Sequence, residues 1–214
     1  MGLVVLSSSS SRRKSFLENK LKNTDFELIV SPISKKEPVS KIGIEVVSQV
    51  EKICKFKSDH AISEISKKMP LKNIDLVVVS DTLLEDPEDS KIPIGKPKNK
   101  EEALSMLLRL SGKRHRVWSS SAILFPPKSK FKKMKGDDDW RISFWTDYSI
   151  VEFARLNEDR IIQLIESDSW KNKAGGYDIM GEARESISLI GGEEVTVLGF
   201  SCRMVVAMFQ FIYQ

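Results

Sequence analysis

The sequence predicts an α/β fold, and three observations carry that prediction. Short apolar runs alternate with stretches whose apolar residues recur at helical spacing. Leu76 to Val79 is apolar without a break, the pattern of a strand covered on both faces. Two β-rich runs, 115–125 and 140–153, follow one another across a short basic tip, as in a hairpin inserted into the second half of the chain.

Taken in order, Leu3 to Leu6 reads as a first strand, and Arg12 to Leu21, with Phe16, Leu17 and Leu21 apolar, reads as a helix. Phe26 to Val30 is a second strand. Ile42, Val46, Val50, Ile53 and Cys54 form one stripe and predict a helix over 39–56. Ile74 to Val79 is the most strand-like run. Asn99 to Leu110 predicts a helix with Asn99 as its cap. After the hairpin come a helix over Asp159 to Ser167, a glycine-rich loop, a strand around Ser186 to Ile190, and a closing apolar helix from Phe200 to Tyr213. No internal repeat is present, and residues 1–214 read as one domain.

Composition narrows the function. The 214 residues are 41% hydrophobic, enough for a real core and far from a disordered composition. Thirty-four Lys and Arg face 30 Asp and Glu, a net charge of +4, which argues against a chain that binds nucleic acid over its whole surface but leaves room for one cationic pocket. Cys54 and Cys202, with only His60 and His115, build no recognisable zinc site and read as reduced thiols of a cytoplasmic protein. No run approaches the roughly 20 apolar residues of a membrane span. Met1 to Leu6 lacks the basic start of a signal peptide, and Leu6 stands where N-myristoylation needs Ser or Thr. The lysine-rich tip Lys128 to Lys135 is followed by Asp137, Asp138 and Asp139, and reads as a solvated loop with its own counter-charges.

Four stretches point to chemistry. Ser7 to Ser11, followed by Arg12, Arg13 and Lys14, lies between a strand and the first turn of a helix. Backbone N–H groups, hydroxyls and guanidinium forks converge there in a way that suits phosphate, although a plain serine loop has the same composition. Ser80, Asp81 and Thr82 follow the central strand; at its C-terminal end Asp81 can activate water or hold a cation, and equally can form a turn. Gly95, Lys96 and Pro97 precede a helix. Lys173 to Gly181 carries three glycines that permit close approach of a backbone to a flat ligand, or a tight turn.

Taken together and in this order, the stretches resemble the Maf family of nucleoside triphosphate pyrophosphatases. Family members share a strand followed by A-S-x-S-P-R-R, then A-D-T, g-K-P, L-S-G-x-x-H-x-V, K-A-G-x-Y-x-I-Q-G and V-x-G-x-P. Here the counterparts are Ser7 to Arg13, Ser80 to Thr82, Gly95 to Pro97, Leu110 to Val117, Lys173 to Gly181, and Val197 to Phe200. Each motif is weak alone; six in sequence are specific, and they cover nearly the whole chain. Departures are equally visible. Ser11 replaces a proline, Lys35 stands near the family's acidic position with Glu37 two residues on, and Lys55 or Lys57 must supply a helix lysine. Trp170 replaces a proline and Met180 a glutamine.

The resemblance implies a mixed, curved β-sheet in two lobes flanked by helices, of inosine-triphosphatase type, with the active-site cleft between the lobes. It implies hydrolysis of nucleoside triphosphates to monophosphate and pyrophosphate, with Asp81 acting on water and Ser8, Arg12, Arg13, Lys96 and Lys173 binding substrate. Asp81 and Glu37 would hold Mg²⁺ or Mn²⁺, and Thr82 and Met180 would face the base. Arg12 and Thr82 match the dTTP/UTP branch, whereas Met180 implies relaxed base specificity. A cytoplasmic role in clearing the nucleotide pool, a link to cell division and a homodimer come with the family, without a membrane or nucleic-acid partner. The alternative, favoured by Lys35, is a nucleotide-binding regulator that has lost turnover; an RNA-binding tip is more remote.

Overall fold

In β1 (Gly2–Ser7) and β3 (Leu76–Glu85) successive side chains leave the backbone on opposite sides, and here both sides are apolar. Val4, Leu6, Leu76 and Val78 enter one core with Phe200, Met204 and Met208, while Val5, Val77 and Val79 enter another with Cys54, Ala61 and Ile65. That two-sided burial is what the unbroken run encodes. The computed structural model describes residues 2–127, 129 and 139–213; most of the basic tip, Lys128 and residues 130–138, lies outside them.

Among the described residues the strands form one mixed sheet. β1 pairs in parallel with β2 (Phe26–Val30) and β3; β5 (Arg114–Phe125), β6 (Arg141–Phe153) and β7 (Ile187–Gly191) then add antiparallel in the order β2-β1-β3-β5-β6-β7. A short β4 (Pro93–Ile94) pairs with the far end of β3. Helix α1 (Ser11–Leu21) and the closing helix α6 (Cys202–Ile212) supply residues to one core, and α2 (Val46–Lys68) to the core opposite. A further core, around Leu84, Val117, Val151 and Phe153, gathers α3 (Lys100–Leu110) and α4 (Glu158–Glu166) at the other end of the long strands. The chain is therefore two-lobed, with β3, β5 and β6 running through both lobes.

Three expectations need correction. The helix expected over 39–56 starts only at Val46, since Gly43 adopts φ +90° and the Gln49 amide binds the Lys41 and Ile44 backbone, holding the preceding segment as a loop. It then runs on to Lys68 and stops where Met69, which precedes Pro70, becomes extended. The closing helix begins at Cys202 rather than Phe200: a short helix that precedes it, α5 (Glu194–Leu198), ends at Gly199, φ +115°, and Ser201 caps α6 by accepting from the Met204 N–H. Most consequential for the site, β3 does not end at Val79. Asp81 lies in mid-strand, paired with Ser120, so neither a strand-end position nor a turn describes it.

Candidate active site

The waist between the two lobes is polar. Where β3 passes from Val79 to Leu83 and β5 from Trp118 to Ala122, the two strands carry facing serines and threonine. The Ser80 hydroxyl donates to the Gly199 carbonyl at 2.6 Å and lies 2.8 Å from the Ser121 hydroxyl, and the Thr82 hydroxyl is 2.8 Å from that of Ser119. Buried hydroxyls satisfied in this way let a central strand carry polar residues without fraying.

Above this waist opens a cleft of about 590 Å³, lined by the Ser8–Ser11 turn, Arg12, Glu37, Lys57, Asp81, Lys96 and Lys173 among others. The turn is built as its sequence suggests. Ser10 caps α1 by accepting from the Arg13 N–H at 3.5 Å, and the Ser10 N–H donates to the Ser8 hydroxyl at 3.2 Å. No acidic residue occupies the first turn of α1, so the positive helix end is left for an anion.

Asp81 is buried on the cleft floor, and Lys57 Nζ stands between it and Glu37, 3.2 Å from Asp81 Oδ1 and 3.1 Å from Glu37 Oε1. Burial pushes the Asp81 carboxyl above the usual carboxylate range, while Lys57 and Arg13 pull the other way. Lys57 rather than Lys55 is thus the helix lysine at the site; Lys55 lines a separate cavity with Trp145 and Arg203. Lys35 is exposed and is not part of the cleft lining.

Arg13 proves to be a framework residue. Its Nε donates to the Gly199 carbonyl at 2.8 Å, Nη1 to the Ser80 carbonyl at 2.9 Å and to the Ser8 hydroxyl at 3.2 Å, and Nη2 to the Thr82 hydroxyl at 2.8 Å. With its fork so engaged, it joins the start of α1 to β3 and to the segment before α6. A Cβ at position 199 would lie 2.7 Å from Arg13 Nε, so glycine is required there. Thr82 is correspondingly occupied by Arg13 and Ser119 rather than standing free for a base.

Arg12 is different. Its Nη1 is 3.7 Å from Asp178 Oδ1, but its Nε is buried without a partner. Lys173 Nζ meets the other Asp178 oxygen at 3.0 Å. Lys96 projects from the turn after β4, and its ammonium is held below the usual lysine range, first by burial and then by the charge of Arg13. Met180 does not line this cleft. It borders an adjoining chamber and is half exposed.

In the Lys173–Gly181 segment, Gly175 is required by protein packing. At Gly175, φ +74°, a Cβ would fall 2.3 Å from Leu84, and its N–H donates to the Gly95 carbonyl at 2.9 Å. His115 supports the same segment from outside the cleft: its Nε2 is 2.8 Å from the Tyr177 hydroxyl, and burial lowers its pKa to about 4.

The Maf-like protein family model matches residues 3–212. This chain belongs to the Maf family. The Maf chain is 31% identical over 198 residues to a dTTP/UTP pyrophosphatase of Clostridium acetobutylicum, covering 92% of this chain and 90% of that one. It is 30% identical over 218 residues to a dTTP/UTP pyrophosphatase of Pyrococcus furiosus, covering 98% and 95%. Among solved structures, a HAM1 protein from Coxiella burnetii aligns with a TM-score of 0.42 and 16% identity, over 73% of this chain and 75% of that one. Of the residues in this Maf cleft, Lys57 is the one the sequence left open. Its signal was a lysine on the buried stripe of α2, between Cys54 and Ala61. A charge on such a stripe needs a partner.

Proposed function

We propose that this chain hydrolyses nucleoside triphosphates to the monophosphate and pyrophosphate, within one domain spanning residues 1–214. The observation that carries the reading is Asp81, a buried carboxylate on the floor of a cleft that also presents serine hydroxyls, a helix N-terminus and cations. A triphosphate brings several negative charges, and attack at the α-phosphorus moves more charge onto the departing pyrophosphate. Arg12, Lys96 and Lys173 receive those oxygens together with Ser8 and the first N–H groups of α1. The buried, unpaired Arg12 Nε–H gains a partner when they do.

Asp81 orients the attacking water and takes its proton. A carboxylate raised above its ordinary range is a better base near neutrality. Lys57 steadies both Asp81 and Glu37. Among the described residues no three His, Cys, Asp or Glu cluster as a complete metal site. Asp81 and Glu37 flank the Lys57 ammonium and both line the cleft, and carboxylate oxygens are the ligands that Mg²⁺ or Mn²⁺ take, with phosphate and water completing the shell. Asp81 and Glu37 would hold the ion, and when bound it supplies positive charge to the triphosphate.

The pyrimidine preference named for the relatives is the expected leaning here, relaxed by Met180. A cytoplasmic nucleotide pool and a homodimer complete the reading; no helix among the described residues is long and apolar enough to cross a membrane. Glu37 reaching Lys57 beside Asp81, with Lys35 outside the cleft lining, supports the hydrolase reading over the regulator alternative. The experiment is pyrophosphate release from dTTP, UTP, CTP and GTP with Mg²⁺ or Mn²⁺. Nucleotide binding without release from any of them would restore the regulator.

A further inference from the structure

Beside the cleft lies a second chamber of about 470 Å³, and the two share Ser11, Arg12, Lys173 and Leu198 in their walls. The resemblance sets Met180, on one of its walls, against the base, but the reading above gives its α1 face no task. Its distinctive lining is one face of α1, where Ser11, Ser15 and Asn19 recur every four residues and Phe16 stands beside them, with Met180 opposite from the loop.

We propose that this chamber receives the nucleobase, with the Asn19 side-chain amide reading its hydrogen-bonding edge. The inference rests on the nucleotide reading above and adds a specificity-determining residue to it. Three observations support it. First, Asn19 lies eight residues beyond Ser11, about 12 Å along the helix at 1.5 Å per residue. One helix thus presents phosphate donors at its start and an amide roughly a nucleoside's length further on. Second, the surfaces differ in kind: among the described residues the cleft is lined by no aromatic side chain, whereas the chamber offers the Phe16 ring and the Met180 thioether, which suit a flat apolar ring system. Third, the shared wall holds Arg12, whose Nε is buried and unpaired. A ligand passing from one compartment to the other would run alongside that donor. An asparagine amide both donates and accepts, matching a base edge that does the same.

The test is calorimetric binding of two probes to the full chain: α,β-methylene UTP, which cannot be split at the α,β position, and inorganic tripolyphosphate, which has no base. Asn19 is exposed, so Asn19→Ala leaves the fold intact. It should weaken the UTP analogue about tenfold, the scale of one lost hydrogen bond, and leave tripolyphosphate unchanged. Asn172→Ala, the other amide at the site, should change neither. The proposal is overturned if Asn19→Ala leaves the analogue unaffected or weakens both probes equally. It is overturned as well if Asn172→Ala carries the loss, or if the wild type binds tripolyphosphate but not the analogue. Because binding is read without turnover, a chain that binds the analogue through Asn19 yet releases no pyrophosphate would sink the hydrolase reading alone.

Discussion

Arg13 donates from Nη1 to the Ser80 carbonyl at 2.9 Å, which fixes the start of α1 to the residue immediately before Asp81. The serine turn and the proposed base are thereby one rigid unit, not two neighbouring features. Burial holds the Arg13 guanidinium below its usual pKa, with the nearby Asp81 carboxylate opposing that shift.

Arg13 and Lys96 should therefore respond differently to neutralisation. Arg13→Gln leaves buried carbonyls at Ser80 and Gly199 without their donor and should cost about 2–4 kcal/mol of stability. Its effect on monophosphate and triphosphate binding should be alike. Lys96→Gln should leave the melting temperature near wild type and weaken triphosphate more than monophosphate. Thermal melts and paired titrations of the two nucleotides check this; a Lys96 variant with equal losses moves that residue away from the β- and γ-phosphates.

Asp81→Asn should lower kcat at least about a hundredfold, the scale of losing a general base. In the wild type the acid limb of kcat/KM should fall above the ordinary carboxylate range, because burial raises this group. The stability sign follows from the same shift. With the folded value above the unfolded one, the contribution is present at low pH and lost as pH rises through the folded value. Ionised Asp81 is thus a net cost near neutrality, and the Asn variant should melt no lower than wild type. A markedly lower melting temperature would mean that the Lys57 pair outweighs burial.

Met180→Gln should sharpen discrimination toward dTTP and UTP over purine nucleotides, since a group that hydrogen-bonds a base rejects the wrong one more strongly than a thioether packed beside it. The measurement is kcat/KM across dTTP, UTP, CTP, GTP and methylated analogues for both proteins. An unchanged ranking would remove Met180 from the base contact.

His115 gives a separate prediction about the fold. Its pKa falls from 6.5 to about 4 through burial, so the unfolded chain binds a proton there that the folded chain does not. Stability should fall as pH drops from 6.5 toward 4, by about 3 kcal/mol at most. Urea melts across that range check it, and His115→Gln should flatten the slope.

How much of this was legible depends on where the deciding partner lies. β2 was readable to the residue, and Asn99 was readable as a cap, because each answers to its neighbours. The continuation of β3 through Ser80, Asp81 and Thr82 was not. Locally those residues suit a turn; what keeps them in a strand is Ser121, Ser119 and Gly199, as distant as 119 positions in sequence. Arg13 and Thr82 both line the cleft, but that they engage each other is not legible locally, because 69 positions separate them. Met180 was found by motif, yet its place in a neighbouring chamber emerges only when α1 and the loop are brought together.

The Arg13–Gly199 hydrogen bond spans 186 positions, and it sets an order in time. While the chain is being made, its first helix, serine turn and Asp81 are all present long before Gly199 emerges. Until that carbonyl docks, the Arg13 Nε–H lacks its acceptor and the Ser80 hydroxyl lacks one of its own. The start of α1 and the middle of β3 are thus tied through this carbonyl only after residue 199 has been made.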